Sequence, residues 1–296
     1  MAEPRAMPSA GPTQWSLVTF NAWRLRDTHR DSRWDSPLSR ARLDDRLDAL
    51  ADFIRTRLAA PTVLALQEVE NRPLLEALRQ RLQQRGLHYQ MVLREGQDPS
   101  GMDVALLLRA PAVAGPVRQL FARQQFAGAP LFSRPPLLVR LRRPWPVTLV
   151  VVHLRSARDL SSSRVYRKRQ RQAAMLADWV RQQQGALIVL GDFNSGPGNA
   201  RFSASYQRFA DAGLHDVWSR LPPAQRFSYR YHCRPRALDH IWLDDALWRQ
   251  VSGVMVSRGN AGRYRLLYGY QGSKVVSDHD GLGVQLPLTL SGHGQR

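Results

Sequence analysis

Cysteine is almost absent from this 296-residue chain, which carries Cys233 alone. An internal disulfide is therefore excluded, and so is a metal site built from thiolates. Long apolar runs are missing as well, since no stretch approaches the ~20 consecutive apolar residues of a membrane span. The segment Met1 to Thr13 is rich in Pro, Ala and Ser and lacks the apolar centre of a signal peptide, so the expected location is cytoplasmic. Acidic residues are scarce, 24 Asp and Glu against 43 Lys and Arg, which leaves a formal net charge of +19. That deficit points to a polyanionic partner, nucleic acid ahead of an anionic membrane surface, unless it reflects an arginine-rich proteome. No internal repeat or low-complexity block is present.

What is present suffices for a large core, because 43% of the residues are hydrophobic. Residues 1–14 read as a disordered leader, 15–288 as a single domain and 289–296 as a flexible tail. Leu43, Leu47, Leu50, Ile54 and Leu58 recur at helical spacing over 41–58, and a second helix starts at Pro73 and stops near Gly86. Further helices are expected over 163–183 and near 200–212. Strands are expected over 15–21, 63–66, 88–94, 103–109, 137–142, 147–153 and 186–191, then as short runs at 227–231, 239–243, 250–257 and 282–287. Strands interleaved with helices without strict βα alternation predict two mixed sheets packed face to face, with helices on the outer faces. A monomer is expected.

The chemistry sits at the strand ends. Ile188-Val189-Leu190-Gly191 is an apolar run that delivers Asp192 and Asn194 to a carboxyl edge, where open α/β sheets bind ligands. Asn21 follows Val18-Thr19-Phe20, Glu68 follows Leu64-Ala65-Leu66-Gln67, and His153 follows Val150-Val151-Val152. Asp239 opens Ile241-Trp242-Leu243, and Asp278-His279 precede the last strand. Taken singly, Asp192 would be a turn former, Glu68 a surface acid and His153 a buried core histidine. Taken together, they offer what phosphodiester cleavage requires: neutralised phosphate charge, an activated water and a stabilised leaving oxygen. Few acids with open positions suit Mg2+, with Mn2+ or Ca2+ as alternatives in an oxygen-rich site. His240 adjoins Asp239, yet alternation puts it on the opposite face, where a structural role is expected.

The order and wording of seven segments resemble the metal-dependent endonuclease/exonuclease/phosphatase superfamily, which includes deoxyribonucleases, apurinic endonucleases, sphingomyelinases and inositol polyphosphate phosphatases. They are FNAW (20–23), LQEVEN (66–71), MDVALLLR (102–109), VVHLRS (151–156), GDFNSGP (191–197), LDHIWL (238–243) and SDHDGL (277–282). The look is nearest to bacterial extracellular-nuclease-like members, given the tyrosine-bearing run 227–231 before the LDHI element. The resemblance implies an α/β (α+β) four-layered sandwich and a Mg2+-dependent nuclease acting on DNA ahead of RNA. It implies that Glu68 is the principal metal ligand, with Asn21 beside it and Asp278 adding a contact. Asp192 matches the acid that handles the water or the leaving group, and Asn194 a donor to the phosphate. His279 matches a histidine oriented by Asp239. His153 matches a second histidine on the phosphate, and Asp103 is the candidate to orient it.

Basic residues gather beside these motifs. Arg24 lies after the first motif, Arg167 in the helix after His153, and Arg258, Arg263, Tyr264, Arg265 and Lys274 before Asp278. They are expected to rim the cleft and bind nucleic acid, guanidinium groups on phosphates and rings on unpaired bases. A phosphatase or phospholipase of the same superfamily, acting on phosphoinositides, nucleotides or sphingomyelin, is the alternative. The absence of a hydrophobic membrane-inserting hairpin and the positive charge disfavour it. A catalytically dead binding module would need a missing polar residue, and every expected one is there.

Overall fold

The computed structural model describes residues 3–262 and 275–290. The chain runs through β1 (Gln14–Leu25), α1 (Arg40–Thr56), β2 (Val63–Val69), α2 (Arg72–Gln83), β3 (Gln90–Leu93) and β4 (Asp103–Leu108). Then come β5 (Val113–Gln119), β6 (Gln125–Phe126), β7 (Ala129–Pro130), β8 (Leu137–Arg143), β9 (Val147–His153), α3 (Ser163–Arg181) and β10 (Leu187–Asp192). The last part holds α4 (Ala200–Ala210), β11 (His215–Asp216), β12 (Tyr229–Tyr231), β13 (Arg234–Arg236), β14 (Asp239–Leu243), α5 (Asp245–Gln250), β15 (Gly253–Val256) and β16 (Leu282–Pro287).

Two six-stranded sheets result, in the orders β15-β16-β1-β2-β4-β3 and β11-β14-β10-β9-β8-β5. Each has a parallel pair at its centre, β1 with β2 and β9 with β10, flanked by antiparallel neighbours. Period-two burial explains the packing. Leu17, Val63, Ala65 and Leu106 of the first sheet meet Val139, Leu149, Val151, Ile188, Leu190 and Ile241 of the second in one inner core. The alternate residues face outward. Val18, Phe20, Leu64 and Leu66 pack on Leu47, Leu50 and Ile54 of α1 and on Leu75 and Leu78 of α2. Val150, Val152 and Val189 pack on Ala173 and Leu176 of α3 and Phe209 of α4. Helix, sheet, sheet, helix is thus the four-layered order. Among the described residues no helix is long and apolar enough to cross a membrane.

Several details depart from the sequence reading. Residues 3–14, expected as a disordered leader, are docked. Arg5 and Arg258 exchange both backbone hydrogen bonds, and Met7 is buried against the helix-side core with its N–H on the carbonyl of Arg57. The apolar Met7 side chain has a place to go, which the Pro- and Ser-rich composition concealed. The run 250–257 starts as a strand only at Gly253, because Asp244 caps the short α5 by accepting from the N–H groups of Ala246 and Leu247. The run 227–231 pairs as a strand only over β12.

Candidate active site

Four polar side chains continue the inner-face parity past the apolar core. Asn21 follows Leu17, His153 follows Leu149 and Val151, Asp192 follows Ile188 and Leu190, and Asp239 precedes Ile241. Register aligns them, since Asp192 stands opposite both His153 and Asp239. Glu68 is different. Strict alternation would place it with Leu64 and Leu66 on the helix side, but β2 shifts register between Gln67 and Val69 and Glu68 has φ +62°. That left-handed bulge redirects the carboxylate into the crevice, a known use of bulges beside active sites.

The Asn21 amide joins the two sheets, its Nδ2 donating to Glu68 Oε1 (3.2 Å) and to Asp192 Oδ2 (3.1 Å). Asn21 stands beside Glu68, its Nδ2 between two carboxylates whose repulsion a donor relieves, and its Oδ1 accepts from the N–H of Trp23 (2.8 Å). Glu68 Oε2 accepts from the N–H of Arg24 at 2.8 Å. His153 Nε2 lies 3.6 Å from Asp192 Oδ2 and 3.9 Å from Glu68 Oε1, near both and bonded to neither. His279 Nδ1 is 2.6 Å from Asp239 Oδ2, while its Nε2 is 3.9 Å from Asp278 Oδ1. Asp192, Asp239 and His279 bring ligand-capable atoms within 4.8 Å of one another.

Two expected roles change. Asp103 does not orient His153. Its Oδ1 accepts from the N–H of Gly96 (2.8 Å), and His153 Nδ1 has no hydrogen-bond partner among the described residues. Asn194 gives its Nδ2 to the carbonyl of Leu154 (3.0 Å) and its N–H to Asp192 Oδ1 (2.8 Å), so it fastens the loops after β9 and β10. His240 is indeed on the other face, with Nδ1 2.7 Å from Asp216 and its ring against Phe193 and Trp242. Sequence reasoning passed over Ser277, whose hydroxyl donates to the carbonyl of Asn21 (2.6 Å) and accepts from the N–H of His279 (3.0 Å). No spacing rule singles out such a serine.

Electrostatics follow from packing acids in a dry crevice. Burial, with Asp239 and Glu68 nearby, pushes the Asp192 carboxyl up to about 7, against the opposing pull of His279. Burial likewise raises Asp278 to about 6. Burial disfavours charge on His279, yet Asp239 and Asp278 outweigh it and hold the imidazole well above its ordinary value. His153 is held well below, by burial and by the positive neighbours Arg134 and His279. The site therefore pairs a charged imidazole with a neutral one. Asp239 Oδ1 and Asp278 Oδ1 are buried without hydrogen-bond partners, so acceptor capacity is left over.

Of the expected nucleic-acid contacts, Arg24 and Arg167 are exposed. Arg258 is buried, pairs with Asp280 (3.2 Å) and stacks over Phe227 (3.9 Å), so it is a structural cation and not part of the rim. Arg263, Tyr264, Arg265 and Lys274 lie outside the described residues.

A sequence model of the Endonuclease/Exonuclease/phosphatase family matches residues 18–279. Comparison with curated proteins finds no matching sequence. Among solved structures, an AP endonuclease from Archaeoglobus fulgidus is similar with a TM-score of 0.64 at 15% identity, over 91% of this chain and 98% of that one. The 3'-5' exonuclease NExo from Neisseria meningitidis gives 0.63 at 18% identity, over 92% and 99%. TDP2 from Caenorhabditis elegans gives 0.60 at 15% identity, over 93% and 74%. At such identities the likeness establishes the fold.

Proposed function

The chain belongs to the endonuclease/exonuclease/phosphatase family, and from that premise we propose that it is a divalent-metal-dependent nuclease cleaving phosphodiester bonds in DNA and, secondarily, RNA. The observation that carries this reading is the single Asn21 amide nitrogen shared by Glu68 and Asp192, which holds carboxylates of two sheets within joint reach of one phosphate. The charge of +19 favours a polyanionic substrate. Similar structures bear on the same point: one is a 3' phosphatase bound to product DNA hairpin, another a TDP2 complexed with single strand DNA product.

The donor set fits a hard cation. Glu68, Asp192, Asp239 and Asp278 crowd carboxylate oxygens into one crevice, and two of those oxygens are buried without partners. Glu68 and Asp278 are the residues that would hold Mg2+, with Mn2+ or Ca2+ as substitutes. When bound, the ion neutralises phosphate charge and stabilises the leaving oxygen. The side chains supply the rest. His279, kept charged by Asp239, donates from Nε2 to a phosphoryl oxygen. Asp192, poised near neutral pH and held by the Asn21 and Asn194 donors, takes the proton of the attacking water. His153, uncharged, donates a hydrogen bond to the phosphate without adding net charge.

The test is an assay of labelled single-stranded and duplex DNA, RNA, inositol phosphates and sphingomyelin, each with Mg2+ and with chelator. DNA cleavage that chelator abolishes is expected. Asp192→Asn and His279→Ala should each lower kcat by ~10²–10⁴-fold, and Glu68→Gln should lose the metal-dependent turnover while its thermal midpoint holds. Full activity in Glu68→Gln would remove the metal assignment. Hydrolysis of sphingomyelin or inositol phosphates in place of DNA would move the substrate class.

A further inference from the structure

Two arginines, one on a helix of each outer layer, donate to backbone carbonyls beside the site. Arg46 of α1 turns Nη2 onto the backbone just past Asn21, donating to the carbonyls of Ala22 (2.6 Å) and Trp23. Those carbonyls belong to the two peptide units whose N–H groups face the crevice. The N–H of Trp23 donates to Asn21 Oδ1 (2.8 Å), and the N–H of Arg24 donates to Glu68 Oε2 (2.8 Å). One peptide unit thus separates the Arg46 guanidinium from each of those side chains. Trp23 and Arg24 both adopt left-handed backbone, φ +50° and +48°, which side-chain-bearing residues keep only when neighbours hold them there. The Trp23 ring lies 5.4 Å from the same guanidinium.

α3 does the equivalent on the second sheet. Its buried Arg169 donates to the carbonyl of Arg155, two residues past His153, and to that of Asn194 (2.8 Å), two residues past Asp192. Gln172, on the same helix face, accepts from the N–H of Arg155 (2.9 Å) and donates to the carbonyl of Leu131 (2.7 Å).

We propose that Arg46 and Arg169 are positioning residues of the active site, Arg46 fixing the irregular end of β1 past Asn21 and Arg169 the loops after β9 and β10, and through them the side chains that act on the phosphate. The inference rests on the reading of Asn21, Glu68, His153 and Asp192 as the working groups. A donor on a carbonyl polarises the peptide and strengthens the N–H at its other end. Arginine suits the task because its planar fork of donors meets several carbonyls in fixed geometry, which a lysine ammonium does not reproduce.

Arg46→Met and Arg46→Lys in the full chain test this with two readouts. The first is hydrogen exchange of the Trp23 and Arg24 amides in metal-free protein. The second is kcat and KM, with Mg2+, on bis(p-nitrophenyl) phosphate, a diester too small to reach the charged rim. In Arg46→Met both amides should exchange ~10-fold faster or more, and kcat should fall by up to ~10²-fold with KM unchanged. Arg46→Lys should fall between it and the parent, and it carries the test if the Met variant does not fold. Unchanged amide exchange in a folded variant overturns the proposal, and so does unchanged kcat. Should the parent cleave neither this diester nor labelled single-stranded DNA, the nuclease reading fails, and the exchange comparison alone decides whether Arg46 holds residues 22–24.

Discussion

Burial pushes the Asp103 carboxyl up to about 7, with Gly96 N–H and Arg134 opposing and Glu95 and Asp98 reinforcing. An unfolded aspartate titrates near ~3.9, so between about pH 4 and about pH 7 the folded chain binds a proton that the unfolded chain has released. The contribution to stability is therefore fully present below that window, declines as pH rises through it and is level above. Asp103→Asn keeps an oxygen for Gly96 and removes the titration. Its urea midpoint should gain on the parent progressively between about pH 4 and about pH 7, and a constant difference across that range would contradict the raised value. Single residues were legible to different depths. The identity of Glu68 was plain in LQEVEN, but strand alternation sends residue 68 to the helix side, and only the bulge at φ +62° brings it to the crevice. Asn21 was legible as a polar strand end, whereas the bonds of its amide were not, because they depend on two carboxylates arriving from different sheets.

At the scale of elements, the site depends on how closely β9 and β10 run. Gly191 has φ +138°, and a Cβ there would stand 2.0 Å from the carbonyl oxygen of Val152. No rotamer relieves a backbone clash, so Gly191→Ala should destabilise the fold by more than ~2 kcal/mol and spoil the pairing of Asp192 with His153. Chemical denaturation measures it, and a loss below ~0.5 kcal/mol, the range of a neutral surface change, would mean that the strands part without cost. The buried central strands were readable because continuous apolar runs bounded by turn residues have few other solutions. β5 was not, since it is a half-exposed edge strand whose pairing with β8 shifts register at Gly115 and Pro116. α5 was hidden for another reason: six residues are too few for helical periodicity to emerge, and the Asp244 cap is the one local sign.

For the whole molecule, the net charge of +19 was evident from composition, but which cations are free to meet a polyanion was not. Arg81 and Arg85 of the α2 end are paired with Asp44, Asp48 and Asp52 on α1. Arg258 is spent inside the fold on Asp280 and Phe227. Beside His153 cations outnumber acids, although Arg134 pairs with Asp98 (3.2 Å). Burial and repulsion from Arg155, Arg164 and Arg134 lower Lys168 against the pull of Asp98, and burial with Arg134 and Arg158 lowers Arg155 against Asp159 and Asp98. A fold that keeps cations together at this cost gains when phosphates lie between them. Binding of a single-stranded oligonucleotide to the slow Asp192→Asn variant should therefore weaken steeply with salt. Arg24→Gln and Arg167→Gln should each flatten the log–log slope by ~0.7–0.9. Arg258→Gln, in contrast, should lower thermal stability and leave the slope alone, because a buried guanidinium releases no counterion. Fluorescence anisotropy across a salt series distinguishes the two classes. If Arg258→Gln alone changed the slope, the polyanion would lie along the Phe227 side of the molecule and not across the crevice between the sheets.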